Sequence, residues 1–111
     1  MKIVVTGFEA FHTNSENPSQ EVVRLLPKTI QGHQIISLEL PVLYDECFDL
    51  LETVILQEQP DVILHLGLAQ GRKFITPERI AINVDDTSIG DNDGVIRRGK
   101  VIKEDGKNAY F

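Results

Sequence analysis

The sequence predicts an α/β fold in which a mostly parallel sheet carries helices on its faces. Two observations predict it. Apolar, β-branched runs alternate along the chain with segments whose apolar residues recur at spacings of three and four. Each of the first two predicted strands is followed by a helix, which is the connection that parallel strands require. The 111 residues fit one small domain with a modest core.

The first third of the chain predicts one strand and one helix. Lys2–Thr6 is a buried strand by its β-branched composition, and Gly7 closes it. A polar, irregular segment follows. A helix is predicted to begin at Pro18, where proline is favoured in the first turn, with Asn17 as the N-cap. Pro27 ends it.

The remaining elements follow in the same alternating order. His33–Leu40 predicts a second strand, and Tyr44–Gln59 is the clearest helix. Asp61–Gly67 predicts a third strand that enters a glycine-containing loop, and Arg79–Val84 predicts another. Asp85–Gly94 is loop by composition. No helix follows the last predicted strand, so the architecture is expected to be the front part of a longer, truncated fold.

Charge and cysteine usage exclude several classes of protein. Seventeen acidic and 11 basic side chains give a net charge of −6, which argues against nucleic-acid or anionic-membrane partners. No signal peptide or membrane-spanning run is visible. The single cysteine, Cys47, suits a reducing cytoplasm.

Metal sites are not predicted. His12, His33 and His65 lack the close spacing of zinc ligands, and the acidic loop fails the EF-hand pattern. His65, within an apolar strand, is expected to be a hydrogen-bonded core histidine. Cys47 is expected to be an inert core thiol on the buried stripe of its helix.

Two segments could bind a ligand. GLAQGR, from Gly67 to Arg72, follows a strand where ligands approach open α/β sheets, although a tight strand exit is the plainer interpretation. It lacks the dinucleotide fingerprint and the Lys-Ser/Thr of a phosphate-binding loop, which makes a nucleotide-binding domain a weak alternative. In TGFEAF, Phe8 and Phe11 could line an apolar pocket or serve as ordinary core anchors.

Taken together, the motifs resemble one family. TGFEAF, ENPS, GLAQGR, ITPERIAIN and a DNDG loop ending in AYF are similar, in order and spacing, to pyroglutamyl peptidase I, also called pyrrolidone-carboxylate peptidase. The resemblance covers nearly the whole chain. It implies a three-layer α/β/α sandwich and a cytoplasmic, homo-oligomeric cysteine peptidase that needs no metal or cofactor. Its partners would be peptides that begin with pyroglutamate.

The resemblance also implies site residues. Glu78 matches the acid of a Cys-His-Glu triad, which orients the histidine and stabilises its imidazolium. Phe8 and Phe11 match aromatic residues that sandwich the pyroglutamyl ring, and Asn17 matches an asparagine near that site. The remaining substrate-binding positions lie in the glycine loop: Leu68, Gly71 and Arg72.

Parts of the family pattern are not matched. The family's nucleophilic cysteine and catalytic histidine lie beyond the AYF segment, so residues 1–111 are expected to form the N-terminal part of one peptidase domain and to be inactive alone. Ser88 stands where the family commonly has an arginine, and Gly90 where it has a proline. The alternative function is a non-catalytic remnant that binds a small acyl ligand or a partner subunit.

Overall fold

The computed structural model describes residues 1–12 and 15–111, and these form two compact units. Residues 1–68 form the first unit and residues 69–111 the second. No helix within the described ranges has the length and apolar character needed to cross a membrane.

The first unit contains a four-stranded sheet with the order β2-β3-β1-β4. Strand β1 pairs in parallel with β3 on one side and with β4 on the other, whereas β2 is antiparallel to β3. The elements are β1 (Lys2–Phe8), α1 (Pro18–Leu25), β2 (Thr29–Ile30), β3 (His33–Leu40), α2 (Glu46–Glu58) and β4 (Val62–His65). The predicted helices and parallel strands of this unit are confirmed, and β2 is an addition to them.

The core of this unit lies between the sheet and α1. Val5 and Ile35 of the sheet pack with Val23 of α1, and each is less than a tenth exposed. Val4, whose side chain points to the opposite face of β1, is fully buried. Both faces of β1 are therefore covered, as an α/β layer architecture requires.

The start of α1 lies unusually close to β1. Asn17 caps the helix, as predicted, because its side chain accepts a hydrogen bond from the Ser19 amide. A Cβ atom placed on Gly7 would lie 2.2 Å from the Ser19 carbonyl oxygen. Glycine at this position of β1 is what allows the helix backbone to approach.

Helix α2 is less buried than its pattern predicted. Its apolar stripe, which includes Cys47 and Leu51, is only half-buried, and Phe48 is 56% exposed. The prediction of a core position for Cys47 is therefore wrong. Periodicity shows which helical face is apolar, but not how completely that face is covered.

The second unit consists of two short antiparallel ladders. Strands β5 (Ala81–Ile82) and β8 (Ala109–Tyr110) form one, and β6 (Val84–Asp85) and β7 (Lys100–Val101) form the other. The continuous strand predicted over Arg79–Val84 is therefore wrong.

Asn83 separates the two ladders. Its side-chain amide donates to the Lys103 carbonyl at 2.7 Å and accepts from the Lys103 amide at 2.9 Å. Side-chain bonds of this kind compete with a regular strand ladder, which accounts for the break.

Candidate active site

The aromatic pair lies at the carboxyl end of β1. Phe8 is the last residue of the strand and Phe11 follows three residues later, and both are half-buried. The chain leaves β1 for β3 on one side and returns to β4 on the other, so the strand order reverses at β1. Ligands of open α/β sheets bind at such a reversal, outside the carboxyl ends of the strands.

His12 adds a ring to this end of the strand. Its imidazole centroid lies 3.9 Å from that of Phe11, with the planes tilted by 54°. The backbone of His12 has φ of 52°, in the left-handed region that favours glycine. The turn after Phe11 is therefore locally strained.

A buried polar network supports the segment that carries the two phenylalanines. Asn17 and Ser19 are each 4% exposed. Ser19 Oγ donates to Asn17 Oδ1 at 2.7 Å and accepts from the Phe8 amide at 3.0 Å. Asn17 Nδ2 donates to the Glu9 carbonyl at 3.1 Å. The side chain of Asn17 is thus engaged inside the protein.

Glu9 connects the same segment to the end of β3. Its backbone amide donates to the Leu40 carbonyl at 3.0 Å, and its Oε1 accepts from the Val42 amide at 3.1 Å. The position of residues 8–9 is therefore fixed from the β3 side as well as from α1. Sequence reasoning did not identify Glu9 or Ser19. The Asn-Pro-Ser spacing at residues 17–19 is the signal that could have indicated the serine, since Pro18 places it in the first turn of α1.

Strand β4 leads into the predicted glycine loop. Pairing with β1 continues past its end, because the Leu66 amide donates to the Thr6 carbonyl at 2.9 Å. Leu68 is 44% exposed. It follows the end of β4. Because β4 is parallel to β1, this end lies at the same edge of the sheet as the carboxyl end of β1.

His65 is hydrogen-bonded, as predicted, because its Nδ1 lies 2.8 Å from Thr6 Oγ1. The prediction of a core position is wrong, since His65 is exposed and lies on β4, an edge strand of the four-stranded sheet. Even so, partial desolvation of the imidazole lowers its pKa.

In the second unit, Arg72 and Glu78 form an ion pair. Arg72 Nη1 lies 2.9 Å from Glu78 Oε1 and also donates to Thr76 Oγ1 at 2.8 Å. The two side chains are 51% and 75% exposed, so water screens the pair and its contribution to stability is small. Gly71 precedes the arginine with φ of 87°, and the Arg72 amide donates to the Ala69 carbonyl at 3.1 Å. This turn, with Gly71 in the left-handed region, fixes the backbone position of Arg72, from which the side chain extends to Glu78.

The acidic loop after β6 is organised by its own side chains. Asp85 and Arg97 form an ion pair at 2.9 Å with side chains 20% and 13% exposed. Asp91 Oδ1 accepts hydrogen bonds from the amides of Asp93 and Val95, both at 2.9 Å. These bonds hold residues 91–95 in a defined turn. Ser88 is exposed in the same loop.

The predicted site residues thus fall in two places. Phe8, Phe11, Asn17 and Leu68 belong to the first unit, where β1, α1 and β4 position them. The second unit holds the others, Gly71, Arg72 and Glu78, of which the last two are in direct contact.

A profile of the pyroglutamyl peptidase family matches residues 1–111. The pyrrolidone-carboxylate peptidase of Streptococcus suis (strain 05ZYH33) is 48% identical over 111 residues, which are 100% of this chain and 52% of that relative. The chain therefore spans about half the length of the curated relatives it matches.

Solved structures show the same similarity. The crystal structure of pyroglutamyl peptidase I from Bacillus amyloliquefaciens matches with a TM-score of 0.93 and 36% identity, over 98% of this chain and 53% of that chain. A mutant pyrrolidone carboxyl peptidase from the hyperthermophile Pyrococcus furiosus matches with a TM-score of 0.97 and 37% identity, over 100% and 54% of the two chains. These similarities confirm the predicted fold class.

Proposed function

The chain belongs to the pyroglutamyl peptidase family, and we propose that it contributes residues to the active site of a cysteine peptidase that removes N-terminal pyroglutamate from peptides. The observation that carries the proposal is the family match over all of residues 1–111. The relatives are about twice as long, and the proposed activity is that of the whole enzyme.

Phe8 and Phe11 are proposed to hold the pyroglutamyl ring. The ring is small and flat, and the faces of two aromatic side chains can bind it by apolar contact. Both residues are half-buried and lie at the carboxyl end of β1, where an open α/β sheet binds ligands. Leu68, at the exit of β4, is proposed to extend this apolar surface.

Glu78 is proposed to be the acid that orients the catalytic histidine. Its carboxylate is largely exposed, and the bond to Arg72 uses only Oε1. A carboxylate can accept more than one hydrogen bond, so it can bind an imidazole while Arg72 stays in place. In this role Arg72 and the Gly71 turn hold the carboxylate in a defined direction.

The chemistry follows from the family resemblance. A cysteine thiolate attacks the carbonyl carbon that joins pyroglutamate to the next residue, not the ring carbonyl. The peptide C–N bond then breaks, and the imidazolium gives its proton to the leaving amine. Water then hydrolyses the thioester. The cysteine and histidine of this step are proposed to lie in the half of the family's length that residues 1–111 do not span, since Cys47 belongs to α2 and no histidine here matches the catalytic one.

The proposal for Glu78 is tested by Glu78→Gln in the protein as its own organism produces it, with a pyroglutamyl anilide as the substrate. We expect kcat/KM to fall by about 100-fold or more, because a glutamine cannot stabilise the imidazolium. Glu104→Gln is the matched control, since Glu104 is also an exposed glutamate of residues 69–111. Equal rates for the two variants would remove Glu78 from the triad.

Location and assembly are part of the same proposal. We place the enzyme in the cytoplasm as a homo-oligomer without metal or cofactor. The family resemblance supports this placement.

A second candidate function is favoured by Ser88. The loss of a fixed positive charge at that position would suit a protein that binds a small acyl ligand without hydrolysing it. Titration of free pyroglutamate into the protein distinguishes the two. Saturable binding without turnover of the anilide would support the second function, and turnover would exclude it.

A further inference from the structure

We propose that Ser19 is a positioning residue of the pyroglutamyl site, because it fixes the direction in which Phe8 leaves strand β1. The inference rests on the proposed function, in which Phe8 forms one wall of the ring pocket. Ser19 itself is 4% exposed, so it cannot touch a substrate and would act only through the phenylalanine.

The hydrogen bond at the end of β1 is the first step. Backbone amides of successive strand residues point to opposite sides. The Glu9 amide donates towards β3, to the Leu40 carbonyl at 3.0 Å. The preceding amide, that of Phe8, donates instead to Ser19 Oγ at 3.0 Å. A side chain of α1 therefore binds the backbone of the residue that carries the aromatic ring.

The orientation of the serine hydroxyl is the second step. Its hydrogen is donated to Asn17 Oδ1 at 2.7 Å, which leaves a lone pair directed at the Phe8 amide. The amide nitrogen of Asn17 donates to the Glu9 carbonyl at 3.1 Å. The side chains of Ser19 and Asn17 thus bind the amide of residue 8 and the carbonyl of residue 9, respectively. The backbone between these two groups is held at both ends.

The helix cap does not require this arrangement. Capping uses Asn17 Oδ1 and the backbone amide of Ser19, at 3.0 Å, and the serine hydroxyl takes no part in that bond. Ser19→Ala therefore keeps the cap and removes only the bond to Phe8 and its partner bond to Asn17. A structural role and a positioning role can be separated by this substitution.

The test uses the protein made in its own organism with Ser19→Ala, and Ser37→Ala, at an exposed serine of β3, as the matched control. We expect KM for a pyroglutamyl anilide to rise by about tenfold in Ser19→Ala while kcat changes by less than about threefold, because a displaced ring wall weakens ground-state binding. Ser19→Thr keeps the hydroxyl and should restore KM. The control should match the wild type.

Amide hydrogen exchange supplies a readout that does not depend on catalysis. In Ser19→Ala the exchange of the Phe8 amide should accelerate by at least about tenfold, while the amide of Val5 keeps its rate. An unchanged KM in an active enzyme, or an unchanged Phe8 exchange rate, would overturn the inference. A wild type that cleaves no pyroglutamyl anilide would overturn the proposed function, and the inference with it.

Discussion

Gly7→Ala is expected to destabilise the fold strongly, because α1 lies against β1 at this position. The added Cβ would be 2.2 Å from the Ser19 carbonyl oxygen, 2.6 Å from its carbonyl carbon and 3.2 Å from the Gln20 amide nitrogen. All three atoms belong to the backbone, so no side-chain rotation can relieve the contact. Ordinary contact distances are about 3.5 Å or more, so the helix would have to move by roughly 1 Å.

The cost of that movement can be estimated from packing. Moving α1 would disturb the burial of Val23, which is 2% exposed, and the hydrogen bonds of Ser19. Overpacking of a well-packed site costs about 1–3 kcal/mol and sometimes more. The clash involves backbone only, so we expect about 3 kcal/mol at the upper end of that range. For a domain of this size the corresponding loss of Tm is roughly 10–20 °C.

Thermal and urea unfolding followed by circular dichroism would measure this loss. Gly67→Ala is the matched control, since a Cβ at Gly67 meets nothing within 4 Å. It should be neutral or stabilise by up to about 1 kcal/mol, because alanine reduces the entropy of the unfolded chain. If Gly7→Ala unfolds at the wild-type temperature, the close approach of α1 to β1 is wrong, and so is the account of how Ser19 reaches Phe8.

Two further predictions concern a turn and a titration. Gln31 and Gly32 join β2 to β3 with φ of 48° and 80°. Because asparagine tolerates positive φ better than glutamine, Gln31→Asn should raise the free energy of unfolding in urea by about 0.5 kcal/mol. A loss of stability would contradict this. The lowered pKa of His65 means that the unfolded chain binds a proton first as the pH falls below about 6.5. Stability is therefore lost between neutral pH and the folded pKa. Tm should fall from pH 7.5 to pH 5.5, and His65→Gln should reduce that fall; an equal fall in both proteins would show that other groups cause it.

The elements of the first unit could be predicted because their signals are local. The β-branched run at residues 2–6 and the Asn17-Pro18 cap each specify one conformation within a few residues. His33–Leu40 was predicted with its correct bounds for the same reason. Strand β2 was missed because it has only two residues.

The second unit could not be predicted because its pairing is not local. Ala81 pairs with Tyr110 and Val84 with Val101, across long intervals of sequence. An apolar run such as IAINV gives no sign that Asn83 will turn its side chain to the backbone of Lys103. Local patterns therefore specified one strand where the structure has two.

The candidate site shows the same division. The aromatic pair and Glu78 were named from motif resemblance, which carries residue roles but no distances. The contact of Glu78 with Arg72 and the bonds of Ser19 depend on how loops and helix ends lie in space. Residue types alone do not specify such contacts, since glutamate and serine are common residues in any protein.

The most direct test of the proposed function compares two substrates of the protein purified from its own organism, a pyroglutamyl anilide and a prolyl anilide. The two substrates share a five-membered ring, and only the first has the ring carbonyl. The account predicts that kcat/KM is higher for the pyroglutamyl anilide by about 100-fold or more, because the prolyl ring nitrogen is protonated near neutral pH and burying an unpaired charge in an apolar pocket is costly. Equal turnover of both, or turnover of neither, would contradict it.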